Sequence, residues 1–171
     1  DPAPDVPFHA VVRAAKELKE RLERLGLVTF CKTTGGKGLH VVTPLAAKPG
    51  DRLGWQEAKV FAQGVCSQMA NDSPDRYLIV MTKKLRTGRI FLDYLRNDRT
   101  ATAVAPLSPR ARAGGPVSMP LNWNQVKAGL DPQRLTMATA FAFLKKNKPW
   151  VDYCDGERPL KAAIERLVRA A

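Results

Sequence analysis

The chain has 171 residues, enough for one domain with a sizeable core, and its 44% hydrophobic and 26% charged content is that of a globular protein. Its 28 basic and 16 acidic residues leave a formal charge of +12, which favours a polyanionic partner, nucleic acid ahead of a membrane surface. Three scattered cysteines (Cys31, Cys66, Cys154) and two histidines exclude a disulfide framework, a zinc cluster and a histidine-rich metal site, and read as reduced thiols of a cytosolic protein.

Asp5 to Gly26 is predicted as the first helix. Asp5 serves as N-cap, Pro7 sits in the first turn and Gly26 closes the end. Phe8, Val11, Val12, Ala15, Leu18, Leu22 and Leu25 recur at three- and four-residue spacing and form one apolar face; the charged remainder is solvated. His9 carries no assigned role. Leu27–Lys32 and Gly38–Thr43 read as two strands of an antiparallel hairpin. The turn between them belongs to the stretch KTTGGKGLHVVT (32–43). Leu39, Val41 and Thr43 face one way, His40 and Val42 the other.

Pro44 to Gly54 is a loop by composition, and Trp55 to Ala70 a helix with Trp55, Ala58, Ala62, Val65 and Met69 inward. A break follows over Asn71–Asp75, then a short apolar strand at Tyr77–Met81 and a basic loop, TKKLRTG (82–88). Arg89 to Leu95 reads as a strand with Ile90, Leu92 and Tyr94 on one face and Phe91, Asp93 and Leu95 on the other. Residues 97–115 are irregular and basic, with Arg99, Arg110 and Arg112. Val117–Leu121 is extended, Asn122–Lys127 a short helix and Asp131-Pro132 a turn. Thr139 caps a short helix over Ala140–Lys146, and Glu157–Ala171 is a last helix with Leu160, Ala163, Ile164 and Leu167 inward. Helices alternating with hairpin-joined strands give an α+β class, not a doubly wound parallel sheet.

The glycine stretch is not a P-loop, because Lys37 is followed by Gly38 and a strand where that motif needs Ser/Thr and a helix. Two readings of it remain. It is either a phosphate cradle, with the N–H groups of Gly35 and Gly36, the hydroxyls of Thr33 and Thr34 and the charge of Lys37, or an ordinary glycine hairpin. Asp93 also has two readings. A carboxylate in an apolar strand costs free energy unless it binds metal or pairs, here with a nearby arginine such as Arg89. Arg86, Arg89, Arg96 and Arg110 are placed to neutralise phosphates. A phosphate loop, a metal carboxylate and a basic surface together describe an enzyme that polymerises nucleic acid.

The runs TTGGKGLHVVTPL (33–45), GRIFLDYLRNDRTATAVAPLSPRAR (88–112) and GPVSMPLNW (115–123) resemble the polymerase domain of bacterial DNA ligase D, of the archaeo-eukaryotic primase superfamily. The resemblance spans most of the chain. It implies a primase-polymerase fold with an RRM-like mixed or antiparallel sheet flanked by helices, as a single domain over 1–171. It implies template-dependent nucleotidyl transfer that fills DNA ends with ribo- or deoxynucleotides in non-homologous end joining, with Mn2+ or Mg2+. Its partners would be gapped or overhanging DNA ends with a 5′-phosphate, NTP or dNTP, Ku, and a ligase domain of the parent protein. Carried over by motif, Thr34, Gly35, Gly36, Lys37 and His40 fall on the nucleotide loop. Asp93 falls on the third metal-binding aspartate, Arg86 and Arg110 on triphosphate-contacting arginines, and Arg96 on a further nucleotide-side position.

Asp1-Pro2 resembles the second aspartate and the proline of the family's Asp-x-Asp motif, which makes Asp1 and Asp93 the expected metal ligands. The first aspartate and what the family places before it would then be missing, so the resemblance implies a domain truncated at its N-terminus. A catalytically impaired DNA- or nucleotide-binding module left by such truncation is the alternative. A small-subunit replicative primase is disfavoured by the lack of a zinc cluster. No run is long and apolar enough to span a bilayer and no secretory signal is visible, so no membrane partner is expected and a cytoplasmic, nucleoid-associated location is.

Overall fold

The computed structural model describes residues 1–46 and 53–170. The central element is α1 (Phe8–Arg24), and the periodicity seen in the sequence is its reason. Val11 and Ala14 pack into one apolar cluster with Cys66, Met69, Tyr77, Ile90 and Leu92. Val12 and Ala15 pack into a second with Cys31, Val117, Met119, Leu121 and Val126. Leu22 and Leu25 enter a third with Phe61, Val65, Leu160 and Ala163. One helix thus contributes to every cluster, so its apolar stripe stabilises the whole fold. Pro7, not Asp5, is the N-cap residue. Asp5 is drawn away by a tertiary bond, since its carboxylate accepts from the Gly88 N–H at 2.9 Å.

The hairpin forms as expected, with β1 (Phe30–Thr33) starting later and reaching one residue further into the turn and β2 (Leu39–Val42) shorter by one residue at each end. They are antiparallel, in the register Phe30↔Val42 to Thr33↔Leu39. After it, the expected loop over 44–54 is only partly such. Leu45–Ala46 form β3, and residues 47–52 of that loop lie outside the described residues.

The second helix, α2, runs Trp55–Asp72 and buries Phe61, Val65, Cys66, Met69 and Ala70. Trp55, expected inward, is 58% exposed, because it opens the first turn, ahead of where the helix meets the core. Strand β4 (Tyr77–Leu78) is shorter than expected, and Val80 and Met81 are exposed. The basic loop that follows contains a 3-10 turn at Lys83–Leu85. Strand β5 is only Ile90–Phe91 and lies parallel to β4. Pro2 bridges to Ile90 in the antiparallel sense, so the chain start adds a rung on the other side of β5.

Strand β6 (Pro120–Leu121) completes an antiparallel sheet of order β2-β1-β6. The helix expected at Asn122–Lys127 is a 3-10 turn at Trp123–Gln125, and Asp131 caps another at Pro132–Arg134. Helix α3 (Met137–Asn147) begins earlier than expected. Its N-cap is Thr136, whose N–H donates to the Thr139 hydroxyl at 3.0 Å, so Thr139 is the N3 partner and not the cap. Strand β7 (Arg158–Pro159) pairs in parallel with β3, and α4 (Leu160–Arg169) follows. Gly26 (φ +86°) ends α1 where the Arg166 guanidinium of α4 donates to the Leu25 carbonyl at 2.8 Å, leaving no room for a side chain.

Candidate nucleotide and metal site

The glycine turn closes tightly. The Thr34 N–H and the Thr34 hydroxyl both donate to the Gly38 carbonyl, each at 3.1 Å. The hydroxyl proton expected to face a phosphate is therefore spent inside the turn. Gly35 has φ +65°, a region that costs an L side chain about 1–2 kcal/mol. Among the described residues the N–H groups of Gly35, Gly36 and Lys37 meet no protein acceptor. They are free donors close together in one turn, an arrangement that can take an anion. Lys37 is exposed beside them.

The basic segment folds back onto this turn. Arg110 donates to the Thr34 carbonyl at 2.9 Å, and its Cγ lies 2.5 Å from where a Cβ on Gly35 would stand. The Arg112 guanidinium lies 3.0 Å from the corresponding point on Gly36. The approach at Gly35, with its positive φ, favours glycine, whereas the flexible end of Arg112 could give way to a side chain at Gly36. Arg112 was absent from the expected site set. The signal for it is the Arg110-x-Arg112 spacing, since alternate residues of an extended segment share a side.

Lys32 was missed as well. It is 3% exposed, opposite His40 in the hairpin register, and its ammonium donates to the Val104 carbonyl (2.8 Å) and the Ser118 hydroxyl (2.9 Å). Burial, opposed by the Cys31 sulfur and reinforced by the Arg110 charge, lowers its pKa to about 8. His40 is lowered to about 4, first by burial and then by the Lys32 charge, so its imidazole is neutral at pH 7. Burial also pushes the Cys31 and Cys66 thiols up to about 12, so neither is a thiolate nucleophile near pH 7.

The two candidate carboxylates flank β5, Asp1 paired beside it and Asp93 just past its end. Asp1 and Phe91 exchange backbone hydrogen bonds, nitrogen to carbonyl in each direction, at 2.9 Å. Asp1 is therefore opposite Phe91, and Asp93 lies two residues further on, past the end of the β5 ladder. Each carboxylate also meets a guanidinium. Asp1 accepts from Arg86 at 2.8 Å, and Asp93 accepts from Arg96 at 3.3 Å and from the Leu95 N–H at 3.1 Å. The pairing expected between Asp93 and Arg89 does not form, because Arg89 turns to the carbonyls of Pro74 and Leu85. Arg86 also donates to the Met81 carbonyl and stacks over Phe91, 4.2 Å from the ring centre.

The glycine turn and the chain start meet at Pro2, whose Cδ lies 3.7 Å from where a Cβ on Gly38 would stand. Among the described residues no three His, Cys, Asp or Glu side chains cluster. Two carboxylates still suit a hard divalent cation whose remaining positions go to phosphate oxygens and water. Elsewhere, α1 Glu17 accepts from the Tyr77 hydroxyl at 2.8 Å, and Lys59 of α2 donates to Asp98 at 2.7 Å. The latter fixes the start of the basic segment. Among the described residues no helix is long and apolar enough to cross a membrane.

Residues 1–150 match the family model of the LigD primase-polymerase domain. The multifunctional non-homologous end joining protein LigD of Pseudomonas aeruginosa is 38% identical to this chain, over 97% of the chain and 20% of its own length. The bifunctional non-homologous end joining protein LigD of Bacillus subtilis is 29% identical, over 98% of the chain and 27% of its own length. The chain thus spans between a fifth and about a quarter of these curated relatives. A solved polymerase domain from Mycobacterium tuberculosis ligase D in complex with DNA superposes with a TM-score of 0.82 at 29% identity, covering 93% of this chain and 54% of that one.

Proposed function

The chain belongs to the LigD primase-polymerase domain family, and on that premise we propose that it is a template-dependent nucleotidyltransferase that fills DNA ends in bacterial non-homologous end joining. The observation that carries the reading is the fold-back of Arg110 and Arg112 onto the free amides of the glycine turn. That cationic surface fits a nucleoside triphosphate, ribo- or deoxy-.

In this reading a primer 3′-hydroxyl attacks the α-phosphorus in line and pyrophosphate leaves. Asp1 and Asp93 would hold a divalent cation, Mn2+ or Mg2+, which when bound polarises the phosphate and the attacking hydroxyl. Lys37, Arg110 and Arg112 neutralise charge that grows on the triphosphate oxygens. The neutral His40 imidazole offers a hydrogen bond without adding charge. Arg86 holds the Asp1 carboxylate at 2.8 Å, and were Asp1 to ligate a cation instead, that guanidinium would be available to the triphosphate. The net charge of +12 suits DNA on the surrounding surface. Ku and a ligase domain fit as partners, because the names of the relatives place them in end joining. A cytoplasmic, nucleoid-associated setting follows from the same reading.

The test is gap filling on DNA with a 5′-phosphate, with Mn2+ and each nucleotide pool in turn. Metal-dependent, template-directed extension supports the reading. Salt-sensitive DNA binding without extension would leave only a binding module.

A further inference from the structure

Lys32 carries an ammonium at 3% exposure, and among the described residues no carboxylate pairs with it. A buried charge without a counter-charge costs free energy, and proteins keep one where something else offsets it. The groups around it do not. Its two acceptors are neutral, the Val104 carbonyl and the Ser118 hydroxyl. Its cross-strand neighbour His40 is neutral, and Arg110 adds a like charge. Of its three donors, two have partners.

Its position is as telling as its charge. Lys32 precedes the glycine turn by two residues on β1. The segment that returns over that turn is stitched together at Ser118: Leu107 donates to the Ser118 carbonyl at 2.7 Å, and the Ser118 N–H donates to the Ser108 carbonyl at 2.9 Å. The Ser118 hydroxyl in turn donates to the Thr33 carbonyl at 2.8 Å. Leu107 has φ +65°, a conformation that persists only where its surroundings impose it. Lys32 grips this segment at both ends, Val104 before the strained residue and Ser118 across from it.

Resting on the triphosphate reading above, we infer that Lys32 is a positioning residue for the triphosphate: its buried ammonium ties the arm that carries Arg110 and Arg112 to the glycine turn and leaves beneath the turn a charge that an anionic ligand offsets. The arm's arginines then meet the phosphates already aligned. The ammonium's attraction acts through the protein interior, where charge is poorly screened.

The test is Lys32→Met, a change of similar length. The result expected is a KM for ATP raised about tenfold or more in gap filling with Mn2+, with kcat at saturation and the KM for DNA within about threefold of wild type. A KM for ATP within twofold of wild type overturns the inference, as does a fall confined to kcat. If the variant does not fold, the wild-type lysine ammonium signals, followed by 15N NMR during titration with ATP, give the answer. The Lys32 signal shifts on saturation if the inference holds, and stays in place if the lysine only braces the fold. Failure of the two ideas is distinguishable. A wild type that neither binds ATP nor extends DNA removes the triphosphate reading itself, whereas an active wild type matched by Lys32→Met removes only the role given to Lys32.

Discussion

Replacing Gly35 with alanine strikes the nucleotide turn at its tightest point. The backbone there has φ +65°, which costs an L residue about 1–2 kcal/mol. The new Cβ would also stand 2.5 Å from the Arg110 Cγ, so that side chain must move and its bond to the Thr34 carbonyl is lost. A hydrogen bond from a charged donor contributes about 1.5–3 kcal/mol. The sum is about 2.5–5 kcal/mol, reduced by whatever Arg110 recovers from solvent. Urea unfolding should show a midpoint shift with an unchanged slope, and nucleotide KM should rise in parallel because Arg110 no longer overhangs the turn. A variant within about 0.5 kcal/mol of wild type, with unaltered KM, would refute the reasoning.

Three further outcomes follow from the same geometry. Arg112→Ala should raise nucleotide KM severalfold while stability stays within about 0.5 kcal/mol, because among the described residues the guanidinium lies by Gly36 without a carboxylate partner; kinetics set against melting curves check this. His40 is lowered to about 4 from an ordinary 6.5, so between those values the unfolded chain binds a proton that the folded chain refuses. Stability is then fully present above pH 6.5 and falls as pH drops towards 4, by at most about 3 kcal/mol, and His40→Gln should flatten that slope in urea titrations at stepped pH. DNA affinity should fall steeply between 50 and 200 mM salt, since cations around the site meet phosphates, and a flat salt response would contradict a DNA-facing basic surface.

Much of the fold was legible because periodicity survives packing. The stripe of α1 and the antiparallel hairpin follow from residue spacing and the glycine turn, and the structure keeps both. What was not legible depended on partners distant in sequence. Asp5 looks like a cap until Gly88 offers an N–H. Asp93 looks bound to Arg89 until Pro74 and Leu85 claim that side chain and Arg96 takes its place. Strand β5 reads longer than it is because Leu92 and Tyr94 continue its apolar face after the ladder ends. The glycines and Arg110 of the candidate site stood out by composition. Lys32 did not, since a lysine in a short strand normally marks the solvent side, and only the return of residues 104–118 buries it.

Metal-dependent nucleotide addition would depend on the Asp1 and Asp93 carboxylates. Asp93→Asn keeps an oxygen for the Leu95 N–H and gives up only a half-exposed ion pair with Arg96, so folding should change by no more than about 1 kcal/mol. Extension of gapped DNA with Mn2+ by wild type and by this variant is therefore the most direct measurement. Wild type should show template-directed addition and the variant a loss of at least about a hundredfold, with both proteins folded. Equal extension by the two would contradict that dependence.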